Sequence, residues 1–202
     1  MTATDGFKAD LEHDLRAGRE ALLWKLEGLS EYDVRRPVTP TGTNLLGLVK
    51  HVAYVAFGYF GAVFDRPVAE ARPWIADEGE PNWDMWATAE ESREGVLDLY
   101  RRAWEHADAT IASLPLDAAG QVPWWQESRQ DVTLHQVLVH VIAEVHRHAG
   151  HADVVRELVD GAAGLRADND NLPEGDARWW QEYRDRLERV ASEAGTPEAG
   201  TP

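Results

Sequence analysis

Residues 133–161 read TLHQVLVHVIAEVHRHAGHADVVRELVDG. This stretch decides the fold class. It reads as one long helix from near Thr133 to Val159–Asp160, with Gly161 and Gly164 supplying the stop that glycine gives at a helix C-terminus. On a helix, side chains three and four residues apart share a face. His140, Glu144, His148 and His151 stand at spacings of four, four and three. At ~100° per residue they fall within a sector of about 80°. His146 points elsewhere, and His135 does so to a lesser degree.

Working outward, the neighbouring segments carry the same helical signals. Phe7, Leu11, Leu15, Leu22 and Leu26 recur near the helical period and predict a helix from about Gly6 to Leu29, ended by Ser30 and Arg35–Pro37. A second is predicted after Pro40, N-capped by Thr41 or Thr43, whose hydroxyl can accept from a free first-turn amide. It runs through Leu45, Leu48, Val52, Val55 and Tyr59 to about Phe64, and Arg66–Pro67 closes it. A third starts at Thr88, with Glu91 at capping-box spacing, and continues through Val96, Leu99, Ala103, Ala107 and Ile111 to Leu114–Pro115. A last helix, about Asp176 to Glu193, carries Trp179, Trp180, Tyr183 and Leu187.

Two long connections interrupt these helices. Residues 66–87 hold Pro67, Pro73 and Pro81 together with Trp74, Trp83 and Trp86. A connection this long is often functional, and its tryptophans predict that it lies packed over the helices. Residues 116–131 hold the Trp124–Trp125 pair. No run alternates with period two, so no strand is expected. The reading is an all-α fold: a four-helix bundle with long connections and an additional C-terminal helix, forming a single domain over 1–195, with residues 196–202 as a disordered tail.

Composition narrows the function. At 202 residues the chain is long enough for one domain with a full core. Its formal net charge of −16 offers no basic footprint for a phosphate backbone, so nucleic acid is not an expected partner. The acidic residues are spread along the helices and read as a solvated surface. No continuous apolar stretch nears the ~20 residues that span a bilayer. The polar start, MTATDGFKADLEHD, lacks the features of a signal peptide, and the expected location is the cytoplasm. There is no cysteine, which excludes disulfides, cysteine-ligated zinc and a protein thiol nucleophile. Any thiol chemistry needs a thiol brought in as a ligand.

The histidine stripe has two readings. Glu144 and His148, at i and i+4, can both reach one metal ion, with a third ligand from a facing helix. His51, beside Leu48, Val52 and Val55, is the natural third. Taken alone, however, a Glu-x3-His pair also reads as a surface ion pair, and His51 as a partly buried histidine. His140 and His151 read as supporting residues around such a site. Asp153 and Arg156, at i and i+3, read as an intrahelical ion pair, the alternative being that Arg156 meets a substrate carboxylate.

TGTNLLGLVKHVAYV at 41–55 and the 133–161 stretch, with its E-x3-H-A-G-H-A-D-x2-R-E pattern, resemble the DinB-like superfamily. The likeness is to its actinobacterial branch related to mycothiol-dependent maleylpyruvate isomerases, and it covers the chain from the first helix to about Gly161. The resemblance implies a four-helix bundle with a metal at one end of its core. It implies one His ligand from the second helix and two ligands four apart on the fourth. Many members have His at the first of those two positions, whereas the mycothiol-dependent branch is similar to this chain in having Glu. Carried over, the ligands are His51, Glu144 and His148.

Two His and one carboxylate leave a tetrahedral zinc with an open position, the pattern of catalytic sites. Nickel and iron suit the same donors. The resemblance favours a thiol-using S-transferase or isomerase, with mycothiol as the thiol and a small electrophile as the other substrate. The residues themselves equally allow a metal-dependent hydrolase, or a non-catalytic metal- or ligand-binding stress-response protein. Trp179–Trp180 offer a face for a homodimer.

Overall fold

The computed structural model describes residues 3–76 and 78–195, and the predicted tail at 196–202 lies outside them. By its internal contacts the chain divides after Asp170 into two units. The first unit holds helices α1 (Ala3–Trp24), α2 (Glu31–Arg35), α3 (Leu45–Phe60), α4 (Arg72–Ile75), α5 (Arg93–Ser113) and α6 (Leu134–Asp160). The second holds α7 (Ala177–Gly195), on which the Trp179 indole stacks against the Tyr183 ring at 5.4 Å.

The protein is mostly helical, as expected, and the four long helices of the first unit carry its core. α3 packs against both α5 and α6, and α1 packs along α6. Arg19 of α1 pairs with Asp108 of α5, and the Tyr100 hydroxyl donates to the Arg19 carbonyl at 3.0 Å. Nearly every residue of α3 is buried, Lys50 included. This explains its composition: a helix surrounded by protein has no face to leave polar. Leu45–Phe64 is therefore apolar and long enough to pass as a membrane span by length and composition, yet it lies mostly buried inside the protein.

Several boundaries differ from the expectation, each for a local reason. The first helix ends at Trp24, and Ser30, predicted to lie past its end, instead caps the short α2 by accepting from the Asp33 amide. Asn44, not Thr41 or Thr43, caps α3: its Oδ1 accepts from the Gly47 amide at 2.8 Å. The α-helical part of α3 stops at Phe60, and residues 62–64 tighten into a 3-10 turn. Glu91 does reach back to the Thr88 amide at 2.8 Å, but no helix starts there. Its carboxylate is drawn instead to Lys50, and Ser92 caps α5. The fourth predicted helix matches α6 well. Thr133 and Gln136 form a full capping box, and Gly161 closes the helix at φ 83°.

The expectation of no strand is corrected. β1 (Ala119–Gln121) pairs antiparallel with β2 (Asp131–Thr133), joining Gly120 to Val132 in register. Each strand is three residues long, too short for alternation to show in the sequence. The pair closes the 116–131 connection and sets the start of α6. The 66–87 connection folds onto α3 through α4 and a 3-10 turn at Trp83–Met85. That placement needs a small residue on α3, because a Cβ at Gly47 would stand 1.8 Å from the Met85 carbonyl oxygen.

Candidate metal centre

His51, on α3, and Glu144 and His148, on α6, converge where the two helices face each other. One ligand-capable atom from each lies within 4.8 Å of the others. The His148 Nε2 is 3.0 Å from Glu144 Oε1, and the His51 Nε2 is 3.7 Å from the same oxygen. The two imidazole rings meet edge to face at 4.7 Å. Donors bound to one tetrahedral ion at ~2.0–2.2 Å stand roughly 3.3–3.6 Å apart, so small side-chain adjustments suffice for all three to share one. Among the described residues no fourth His or carboxylate joins the group. The His148 side chain is 9% exposed and that of Glu144 is 30%, so the group is open to solvent on its carboxylate side.

Electrostatics agree with a site built for positive charge. Burial disfavours the His51 cation, but hydrogen bonds and charge from Asp84 and Glu144 outweigh it and push its pKa up to about 9. The hydrogen bond from His51 holds the Glu144 carboxyl down to about 2 against the effect of burial, with His148 adding to it. Burial lowers the His148 pKa, and the neighbouring His51 cation lowers it further. Without a metal, the proton therefore resides on His51. The His, Glu and His donors fit a divalent ion, which could take the place of this proton as the positive charge.

The other stripe residues separate by role. The His140 ring sits between Tyr59 at 4.8 Å and Trp125 at 5.0 Å, one turn before Glu144. The His151 ring is exposed and lies 5.5 Å from that of His148, outside the donor group. The His146 Nε2 lies 3.0 Å from the Asp14 carbonyl oxygen on α1, so that residue does point elsewhere. The expected Asp153–Arg156 pair is corrected. Asp153 pairs with Lys25, and Arg156 forms a two-pronged pair with Asp160 while donating to the carbonyls of Trp24, Lys25 and Glu27. These carbonyls lie at and just past the α1 C-terminus, where a cation is favoured. Arg156 is 7% exposed and already engaged, so it is not placed to meet a substrate carboxylate.

Two residues of the site escaped sequence reasoning. The His51 Nδ1 lies 2.7 Å from Asp84 Oδ2, and Trp74 Nε1 donates to that same oxygen at 2.8 Å. Both lie in the 66–87 connection. Its length and tryptophan content marked the segment, but nothing local marked Asp84. A cavity of about 550 Å³ does not include the three donors. It lies beside them along α6, lined by Trp125, Arg129, Asp131, His135, Gln136 and His140.

The packed helices and the three convergent donors define a helical protein with a site able to hold one metal ion. The chain matches the mycothiol-S-transferase family over residues 10–161, three-quarters of its length, and belongs to that family. No curated relative and no solved structure matches it.

Proposed function

We propose that this protein is a divalent-metal-dependent S-transferase that joins mycothiol to a small electrophile, working in the cytoplasm. On this reading the four long helices form a DinB-like four-helix bundle, and His51, Glu144 and His148 are the metal ligands. The observation that carries it is the convergence of those three donors from α3 and α6 within 4.8 Å, with one side open.

Bound there, a divalent ion such as zinc supplies Lewis acidity that draws a thiol of pKa ~8.5 toward its thiolate. The chain has no sulfur nucleophile of its own, since it has no cysteine. Three protein donors leave room for an exogenous sulfur. Over the reaction the S–H bond is broken and sulfur bonds to carbon: in an addition the electrophile's π bond opens and its neighbouring atom takes up the proton, and in a displacement the leaving group departs with the bonding pair and the proton passes to it or to solvent. The cavity beside His140 has the size of a small-molecule site and lies one turn of α6 from Glu144. Trp125, Val132 and Val139 give it apolar lining, and Arg129, Asp131, Gln136 and His140 give it polar lining.

The test is kinetic. Product formation is followed from a panel of electrophiles and esters, with and without mycothiol, in metal-loaded and metal-stripped protein. Thiol-dependent conjugation that disappears with the metal is expected. Thiol-independent hydrolysis lost with the metal would assign a hydrolase instead, and thiol binding without turnover would assign a binding protein. A homodimer is part of the same proposal, and sedimentation near the 22.6 kDa monomer mass across micromolar concentrations would count against it.

A further inference from the structure

Asp84 is a carboxylate only 9% exposed, and among the described residues neither a lysine nor an arginine pairs with it. Burying a carboxylate is costly unless its oxygens are met by donors. Here a single oxygen, Oδ2, is met by two ring nitrogens, His51 Nδ1 and Trp74 Nε1. An ionised carboxylate only accepts. The hydrogen between Asp84 and His51 therefore sits on Nδ1, so that Nε2 is the nitrogen whose lone pair becomes available when its own proton is displaced. That nitrogen is the one facing Glu144.

The turn carrying Asp84 is gripped from the helix that carries His51. Asn44 Nδ2 donates to the Met85 carbonyl at 3.1 Å. The buried Lys50 donates to the carbonyls of Trp83 at 3.1 Å and Trp86 at 3.0 Å. Three carbonyls around Asp84 are thus held by Lys50 of α3 and by its N-cap Asn44, and the carboxylate between them has little freedom to turn away. A surface ion pair would not need such anchoring.

We propose that Asp84 is a positioning residue for the metal centre, fixing the ring and tautomer of His51 so that Nε2 is presented to a divalent cation together with Glu144 and His148. Trp74 holds the carboxylate in that orientation. Outer partners of this kind typically change metal affinity 10–100-fold when removed. The inference rests on the reading that the three donors bind metal.

The test measures zinc affinity by competition with a chromophoric chelator, and the ligand-field absorption of the cobalt(II)-loaded protein. The proteins compared are the unsubstituted chain, Asp84→Ala, Asp84→Asn and His146→Ala. Asp84→Asn keeps the size and one acceptor oxygen, so it folds where Asp84→Ala does not and carries the test in that event. Expected are a 10–100-fold weaker zinc affinity and an altered cobalt spectrum in Asp84→Ala, and a smaller change in the same direction in Asp84→Asn. His146→Ala should match the unsubstituted protein. Unchanged affinity and an unchanged cobalt spectrum in both Asp84 variants would overturn the positioning role while leaving the metal site standing. Absence of stoichiometric metal binding by the unsubstituted protein would overturn the metal reading, and this inference with it.

Discussion

The Nε2 of His51 and the Oε1 of Glu144 come from different helices and lie 3.7 Å apart. Neither residue has a neighbour in its own segment that would call for this approach. It exists because α3 and α6 pack face to face, and it turns a common i, i+4 pair on α6 into a three-donor group.

Each of His51→Ala, Glu144→Ala and His148→Ala should therefore cost metal affinity on the order of 100-fold or more, exceeding the effect of losing an outer partner. His146→Ala should cost none, because that ring turns to the Asp14 carbonyl on α1. Elemental analysis after gel filtration checks this. Full metal retention by the His148→Ala protein would sink the ligand assignment.

Protons compete with the metal, and the sign follows from His51. Its pKa is about 9 in the folded metal-free protein against 6.5 for a free imidazole, so its contribution to stability is complete below pH 6.5 and is lost as pH rises through 9. Glu144 behaves oppositely: its contribution is complete above 4.5 and is lost as pH falls through about 2. Chelator-treated protein should lose denaturant resistance between pH 6.5 and 9, and zinc-loaded protein should not. Zinc binding near pH 7.5 should also release about one proton, read by calorimetry in buffers of different ionisation enthalpy. Zinc binding with no proton release would contradict the placement of the proton on His51.

Arg156→Ala should destabilise the protein by about 3 kcal/mol, because it strips the buried Lys25 carbonyl and the partly buried Glu27 carbonyl of their donor and leaves Asp160 without its cation. For a chain of this size that is a fall in Tm of roughly 6–12 °C. Urea denaturation measures it, and a loss under ~1 kcal/mol would mean that water replaces the guanidinium freely.

Gly47→Ala should cost about 1–3 kcal/mol, the usual range for overpacking. The added Cβ would meet the Met85 carbonyl, and the turn holding Trp83 would be pushed off α3. A red shift in tryptophan emission should accompany the lower melting temperature. Emission and melting like those of the unsubstituted protein would show that the turn yields without cost.

The sequence alone determined what helix geometry determines locally. The length of α6, its Thr133 cap and its Gly161 stop are written within a few residues of each end. That Glu144 and His148 share a face follows from the helical repeat. The family pattern singled out His51 as their partner, but periodicity left it as one inward-facing residue among several. The tertiary structure decided which faces meet. It brought His51 to Glu144, set Asp84 against the far nitrogen of the same ring, and gave Arg156 to the end of α1 and Asp153 to Lys25. It also paired β1 with β2, in strands too short to alternate visibly. The physical reason is common to all of these. A helical face is fixed by backbone hydrogen bonds spanning four residues, whereas the partner of a buried polar group is fixed by whichever distant segment packs close enough to satisfy it.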